Sequence, residues 1–293
     1  MGFRFRKALI FCSVATFLLL LMLICSTIVC AADPIRFAPL PLVSSTVTEQ
    51  QFRPFSNYLA AISQQPVSLL HHESYQLLLE GMLSDKIDLA YLGPLPYVLL
   101  KRKDPSFVPL VRFVNTKGVS SYTCSLVSFD NELDLDKLSI ESPLAMSQPY
   151  STCAFLMTEH FLRQQGMSLK GLPYYYAGNH AESALDVIRG KAALAGVKTT
   201  IARKYIHLGL HVYEQNIELP GMLLVANSRT LSRAQIASIR NQLLALKPLS
   251  DDSDRKLTAD WGREIRNGVV PVDDNDYQYI EQLLTEIKIP EVN

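Results

Sequence analysis

The sequence predicts an α/β fold, and three observations lead to that prediction. Short apolar runs alternate along the chain with stretches in which apolar residues recur at helical spacing. No internal repeat or low-complexity tract interrupts this alternation after the N-terminal segment. About 260 residues follow that segment, which is enough for two medium lobes or one large domain.

Each strand and helix is predicted from the spacing of its apolar residues and from the residues at its ends. Buried strands are predicted from continuous or alternating apolar runs, and these are 35–40, 67–70, 87–92, 107–114, 122–127, 172–176 and 192–197. Helices are predicted from apolar faces at a spacing of three and four residues, and these faces contain Phe52 to Ile62, Tyr75 to Met82, Ile236 to Leu246 and Tyr277 to Ile287. Ser232 precedes the third of these faces and is predicted to be its N-cap.

The first 32 residues are predicted to be an export signal. Arg4, Arg6 and Lys7 precede an uncharged apolar run over residues 8–29, and small residues follow at Ala31 and Ala32. The run is long for a signal core, so an uncleaved membrane anchor is an alternative, as is lipidation of Cys30. All three alternatives place the rest of the chain outside the cytoplasm, in the periplasm.

Composition excludes several classes of partner. The formal net charge is zero and no basic block follows the signal, so we expect no nucleic-acid partner. Cys124 and Cys153 are the two cysteines outside the signal, and in an oxidising compartment they are either bridged or free. His71-His72 and the pair His207/His211 are better interpreted as solvated histidines than as a metal site, so no metal and no cofactor are expected.

The segment Ser147–Phe155 has the pattern of an anion-binding helix start. Small hydroxyl residues follow a proline and lead into an apolar stripe at Phe155, Phe161 and Leu162. The first N–H groups of a helix have no internal partner and carry partial positive charge, so they bind phosphate-like groups. An ordinary hydroxyl N-cap is the alternative.

Several segments together resemble the PhnD-type phosphate and phosphonate receptors of ABC importers. The most specific is residues 88–98, DLAYLGPLPYV, which is similar to the DxAxxGPxxYV segment of that family. Five further matches occur in the family's order over nearly the whole exported chain, and they are Phe52–Phe55, Ser74-Tyr75, Tyr150–Thr152, Ala177–His180 and, near a return crossing, Leu219–Gly221.

This resemblance implies a two-lobe type II periplasmic-binding-protein fold with a ligand cleft between the lobes. Residues 33–118 and 220–293 would form lobe one, and residues 119–219 would form lobe two. The crossings would lie near Lys117–Ser121 and Ile217–Gly221. Such a cleft agrees with the general rule that ligands of open α/β sheets bind beyond the carboxyl ends of the strands.

The resemblance also implies the ligand-binding residues. Carried over by position, they are Ser151, Thr152 and Cys153 in the helix start, with Tyr75, Tyr122 and His180 around it. Each of the last three could instead have a structural role: Tyr75 as a core residue of its helix, Tyr122 as a strand surface residue, and His180 as a residue at a helix start. No catalytic residue is implied.

The departures from the family indicate a changed ligand preference. Thr200 and Met222 stand where aminophosphonate receptors have carboxylates for the ammonium group. Cys153 replaces a hydroxyl, and Ala154 replaces a glycine. The anion site is therefore expected to be kept and the cation site lost, and Lys198, if it faces the cleft, favours a more negative ligand.

These observations predict a non-enzymatic, exported receptor for phosphate, phosphite or a simple phosphonate. Its partner would be an ABC permease, or alternatively a membrane sensor protein if the N-terminal segment stays as an anchor. A more remote alternative is a thiol enzyme that uses Cys153 as nucleophile and His180 as base.

Overall fold

The computed structural model describes residues 33–130, 138, 140–214 and 217–290. The predicted signal or anchor over residues 1–32 lies outside the described residues. Within the described ranges, no helix combines the length and the apolarity that a membrane crossing requires. Residues from Pro34 onward belong to one compact unit.

Thirteen strands and nine α-helices are present in the described ranges. The strands are β1 Ile35–Pro39, β2 Val67–Leu69, β3 Leu89–Leu92, β4 Phe107–Phe113, β5 Ser121–Tyr122, β6 Cys124–Ser128, β7 Leu144–Met146, β8 Tyr174–Tyr176, β9 Leu194–Lys198, β10 His211–Glu214, β11 Leu219–Pro220, β12 Leu223–Asn227 and β13 Val269–Val270. The α-helices are α1 Ser45–Ser63, α2 Tyr75–Leu83, α3 Pro94–Lys103, α4 Thr158–Gln164, α5 His180–Ile188, α6 Thr199–Ala202, α7 Arg233–Ala245, α8 Asp252–Leu257 and α9 Gln278–Glu286.

A six-stranded sheet is built from the first and last parts of the chain. Its order is β13-β4-β12-β3-β1-β2, with β1 parallel to both β2 and β3 and with β12 antiparallel to β3 and β4. One face is covered by an aromatic cluster in which Phe55 meets Phe37, Phe113 and Trp261 at ring-centroid distances of 5.6, 5.8 and 4.9 Å. This packing explains why Phe52 and Phe55 of α1 are buried.

A five-stranded sheet is built from the middle of the chain. Its order is β10-β6-β9-β7-β8, with β7 parallel to β8 and β9, and β6 antiparallel to β9 and β10. The crossing segments form a third, two-stranded ladder, in which β5 pairs with β11 through Leu219 opposite Tyr122. The two main sheets therefore draw on the chain segments that the predicted lobes contain, and the limits 33–118, 119–219 and 220–293 stay a prediction.

The predicted strand over 122–127 is divided in the structure. Tyr122 belongs to the crossing ladder, and β6 begins at Cys124 in the second sheet. At the break, the Thr123 carbonyl accepts from the Thr199 N–H and its hydroxyl donates to the Thr199 hydroxyl at 2.8 Å. The backbone partner of Thr123 is thus Thr199, and the chain passes at Thr123 from the crossing ladder into the five-stranded sheet.

Strands β7, β10 and β12 were not among the predicted elements. β12 carries a clear signal, the apolar run from Leu223 to Ala226, and it is buried in the centre of the six-stranded sheet. β7 has only three residues, too few for a periodic pattern. The N-cap prediction for Ser232 is confirmed, since its hydroxyl accepts from the Gln235 N–H in a capping box.

Candidate functional site

The candidate site lies where strand ends and helix starts from both sheets meet. In the six-stranded sheet, α2 begins at Tyr75 beyond β2, and α3 follows β3 directly after Gly93. In the five-stranded sheet, the segment Ser147–Ser151 follows β7, and α5 follows β8. Because β1, β2 and β3 are parallel, as are β7, β8 and β9, their carboxyl ends face the same region.

Two side chains of the five-stranded lobe bind helix-start amides of the other lobe. The Thr152 hydroxyl oxygen accepts from the Leu95 N–H at 3.1 Å. The Gln148 side-chain oxygen accepts from the Tyr75 N–H at 3.1 Å, and its amide nitrogen donates to the Gly178 carbonyl at 2.9 Å. Both amides belong to the first turn of a helix, where no backbone acceptor is available. The site therefore contains amides that already point at oxygen atoms.

Ser151 begins the helix that the sequence predicted here, but its first turn differs from the prediction. Ser151 is the N-cap, and its hydroxyl accepts from the Ala154 N–H at 3.2 Å. Residues Thr152–Met157 form a π-helical turn before α4. The Thr158 hydroxyl donates to the Cys153 carbonyl at 3.1 Å, which stabilises the wider turn in place of an ordinary backbone bond.

Cys153 is bonded to Cys124, which resolves the open alternatives for these cysteines. Their Cα atoms lie 5.2 Å apart, and both residues are buried. The bridge ties the start of β6 to the first turn of the candidate site. Cys153 consequently has no free thiol in this structure, so the thiol-enzyme alternative receives no support from it.

Tyr75 and Tyr122 are the two tyrosines among the predicted ligand residues. Tyr75 is buried in the core next to Leu78 and Leu79, and burial raises its pKa well above the ordinary value. The Tyr122 ring lies 5.2 Å from the Lys198 ammonium. Burial also raises the pKa of Tyr122, although the nearby Thr152 side chain acts to lower it, so both phenols remain protonated donors at neutral pH.

His180 is the first residue of α5, and the N-cap is its neighbour Asn179. The Asn179 side-chain oxygen accepts from the Glu182 N–H at 3.0 Å. Burial, and next the charge of Lys198, lower the pKa of His180 to about 4, although a hydrogen bond to the Gly196 backbone acts in the opposite direction. His180 is therefore neutral at pH 7, and its buried Nδ1 atom has no hydrogen-bond partner within the described residues.

Two residues of the site were not among the predicted ligand residues. Gln148 supplies the bond to Tyr75, and Ser147 is fully buried with a hydroxyl that has no partner within the described ranges. Both lie in the segment Ser147–Phe155 that the sequence singles out, so the signal was available. The role of Gln148 depends on Tyr75 and Gly178, which are 73 and 30 residues away, and the segment alone does not reveal these neighbours.

A cavity of about 440 Å³ opens beside the helix start, along the crossing segments. Of the six predicted ligand residues it contacts only Tyr122, but Thr200, Met222 and Lys198 line it. Lys198 thus faces the cleft, and its ammonium lies 3.1 Å from a Glu264 carboxylate oxygen. Among the described residues, no three His, Cys, Asp or Glu side chains are placed to hold a metal ion.

Comparison with known proteins assigns the chain to a family. The sequence profile of the family described as "ABC transporter, phosphonate, periplasmic substrate-binding protein" matches residues 37–277. The chain belongs to this family. The predicted PhnD-type relationship is thereby confirmed.

Individual relatives agree with this membership. The phosphate-import protein PhnD of Mycolicibacterium smegmatis is 24% identical over 170 residues, which cover 54% of this chain and 53% of that protein. The match thus spans about half the length of that relative.

Among solved structures, PhnD1 of Prochlorococcus marinus in complex with methylphosphonate has a TM-score of 0.71 and 16% identity, and the similarity covers 86% of this chain and 97% of that one. A binding-protein component of an ABC phosphonate transporter from Pseudomonas aeruginosa has a TM-score of 0.70 and 20% identity, with 86% and 85% of the two chains covered. At this identity the structures establish the fold, and the prediction of a two-lobe type II periplasmic-binding-protein fold is confirmed.

Proposed function

We propose that this protein is an exported, non-enzymatic solute-binding protein that captures phosphate, phosphite or a simple phosphonate for an ABC importer. Its ligand site would consist of the helix start at Ser151 and Thr152 together with Tyr75, Tyr122 and His180. Cys153 would contribute through its backbone position, because its sulfur is bonded to Cys124.

The observation that carries this proposal is the pair of bonds between Thr152 and Leu95 and between Gln148 and Tyr75. These bonds align two first-turn amides from one lobe with oxygen atoms of the other lobe, at 3.1 Å each. Helix-start amides bind oxyanions well because they are unpaired donors at the positive end of the helix dipole. A ligand oxygen at the same amides would replace the side-chain acceptors.

The chemistry of binding follows from this exchange. The Thr152 hydroxyl accepts from the Leu95 N–H in this structure, and its own O–H can donate to a ligand oxygen. The phenol of Tyr122, which is protonated at neutral pH, is a second donor on the same side. Hydroxyls and amides would in this way replace the hydration shell of the anion as the lobes close around it.

The comparisons support the transport role of this site. The matching family is described as an ABC-transporter component, and the solved PhnD1 relative is in complex with methylphosphonate. The same description gives no support to the membrane-sensor alternative. The periplasmic location proposed here follows from the family, while the fate of the N-terminal segment stays a prediction.

Isothermal titration calorimetry on the protein purified from cells that express the full chain tests the proposal. We expect saturable 1:1 binding of phosphate, phosphite or methylphosphonate, and no binding of sodium chloride at matched ionic strength. If none of the three phosphorus oxyanions binds, the proposed function is wrong.

Thr152 variants connect this binding to the site. We expect Thr152→Ala to weaken the best-bound oxyanion by about 1–3 kcal/mol, the range for a hydrogen bond to a charged group. Thr152→Ser keeps the hydroxyl and should retain most of the affinity. Thr285→Ala, at an exposed threonine of α9, is the matched control and should bind like the parent. Equal affinity of the alanine and serine variants would remove Thr152 from the site.

A further inference from the structure

The cavity beside the helix start carries an excess of positive charge. Among the residues that the structure describes, five cationic side chains and two carboxylates line it, a net charge of plus three for this part of the lining on a chain whose formal net charge is zero. The cations are Lys117, Lys198, Arg203, Lys204 and Arg263. A concentration of one sign in a cleft raises the local concentration of ions of the opposite sign.

Each of the two carboxylates interacts with another residue of the lining. Glu218 accepts a hydrogen bond from the Ser121 hydroxyl at 3.0 Å. Glu264 forms an ion pair with Lys198. The pKa of Glu264 is below its ordinary value, chiefly because of the positive charge of Lys198 and to a smaller extent because of Arg263 and Lys204, while burial acts in the opposite direction. Lys198, Arg263 and Lys204 therefore all act electrostatically on this one carboxylate.

The cavity and the proposed oxyanion site share a wall. Tyr122 lines the cavity and lies close enough to Thr152 for that side chain to affect its pKa. Met222 also lines the cavity, and both Met222 and Thr152 lie against Gly93. A Cβ added to this glycine would be 3.5 Å from the Met222 sulfur and 3.8 Å from the Thr152 hydroxyl oxygen. A ligand held at Thr152 therefore needs to extend only past these two side chains to reach the cations.

We propose that this cavity binds a second anionic group of the ligand, so that the substrates are phosphonates or phosphate monoesters that carry a carboxylate or a second phosphoryl group. This inference rests on the proposed function, because the first phosphoryl group must be held at the helix start. The second acid group would pair with Lys204 and Arg263 and would compete with Glu264 for Lys198. An ammonium group would meet these same cations and be repelled.

A matched series of three ligands tests the proposal. Propylphosphonate, 3-phosphonopropionate and 2-aminoethylphosphonate have the same number of chain atoms and end in a methyl, a carboxylate and an ammonium group. In calorimetry at low ionic strength, we expect 3-phosphonopropionate to bind at least about tenfold more tightly than propylphosphonate, and 2-aminoethylphosphonate to bind most weakly.

Variants then locate the effect in the cavity. Lys204→Ala and Arg263→Ala should reduce the preference for the carboxylate to about threefold or less, and they should weaken propylphosphonate by a smaller factor, because its single phosphonate group senses these cations only through the field of the cleft. Lys256→Ala, at an exposed lysine of α8 outside the cavity lining, is the matched control and should retain the full preference. All three residues are exposed, so we expect the variants to fold.

The possible failures are distinguishable. If propylphosphonate and 3-phosphonopropionate bind equally, or if the two cavity variants keep the parent's preference, the second-anion inference is wrong while the proposed function stands. If neither these ligands nor phosphate, phosphite and methylphosphonate bind, the proposed function is wrong and the inference falls with it.

Discussion

The bridge between Cys124 and Cys153 gives the most direct test of the structure. It joins β6 to the first turn of the candidate site and closes a loop across a separation of 29 residues. The chain-entropy relation for a loop of about 30 residues gives roughly 3–4 kcal/mol of stabilisation at 25 °C, because the bridge restricts the unfolded chain. Removal of the bridge should lower the free energy of unfolding by about this amount.

Two perturbations remove the bridge in different ways. Reduction of the parent protein breaks the bond without changing either side chain, and the double variant Cys124→Ala, Cys153→Ala removes both sulfur atoms. Both residues are buried, so alanine avoids placing a new hydroxyl in the core. Urea unfolding followed by circular dichroism should show a lower midpoint for both forms. The slope should rise, because the unbridged chain exposes more surface when it unfolds.

The refuting results are specific. Peptide mapping without reductant should recover a fragment that contains both cysteines, and its absence would show that the pair is not bridged. If the bridge is present but reduction changes the free energy of unfolding by less than about 0.5 kcal/mol, then the loop-entropy argument does not apply to this chain. The double variant serves as the control for incomplete reduction.

Three further predictions concern the same region. Gln148→Ala leaves the Tyr75 N–H buried without its acceptor, so the free energy of unfolding in urea should fall by about 1–3 kcal/mol. Gln148→Glu keeps an acceptor for this N–H, but its negative charge should weaken the binding of methylphosphonate. The pKa of His180 is about 4 in the folded protein against an ordinary value of 6.5, so between pH 4 and 6.5 the unfolded chain binds more protons than the folded one. The free energy of unfolding should therefore fall by up to about 3 kcal/mol as the pH is lowered from 6.5 to 4. An identical pH profile for His180→Gln would contradict this. Gly196→Ala places a Cβ 1.9 Å from the Thr158 hydroxyl oxygen, so it should lower the melting temperature and reduce the free energy of unfolding by about 1–3 kcal/mol. An unchanged melting temperature would show that β9 and the helix start do not pack this closely.

The sequence by itself determined the local structure and the family. The apolar run over 87–92, which ends at Gly93 and Pro94, predicted a buried strand, and the structure has β3 there. Ser232 was predicted as an N-cap from its position before a helical face. Such features depend on residues within one or two turns of each other, so a local pattern contains the information they need.

The candidate site was predicted only in part. The segment around Ser151 and Thr152 was identified from its helix-start pattern, but the π-helical first turn was not, because it depends on Thr158 and on the close approach of Gly196 from β9. The sequence also left the pairing of Cys124 and Cys153 open.

Only the tertiary structure decided which distant segments meet. The register of β6 against β9 sets Cys124 opposite Lys198, and this places the bridge and the basic cavity on either side of Tyr122. Glu264 reaches Lys198 from 66 residues away, and Gln148 reaches Tyr75 from 73 residues away. Strand order and register are selected by the packing of whole sheets and helices, to which every buried residue contributes, so no short stretch of sequence specifies them.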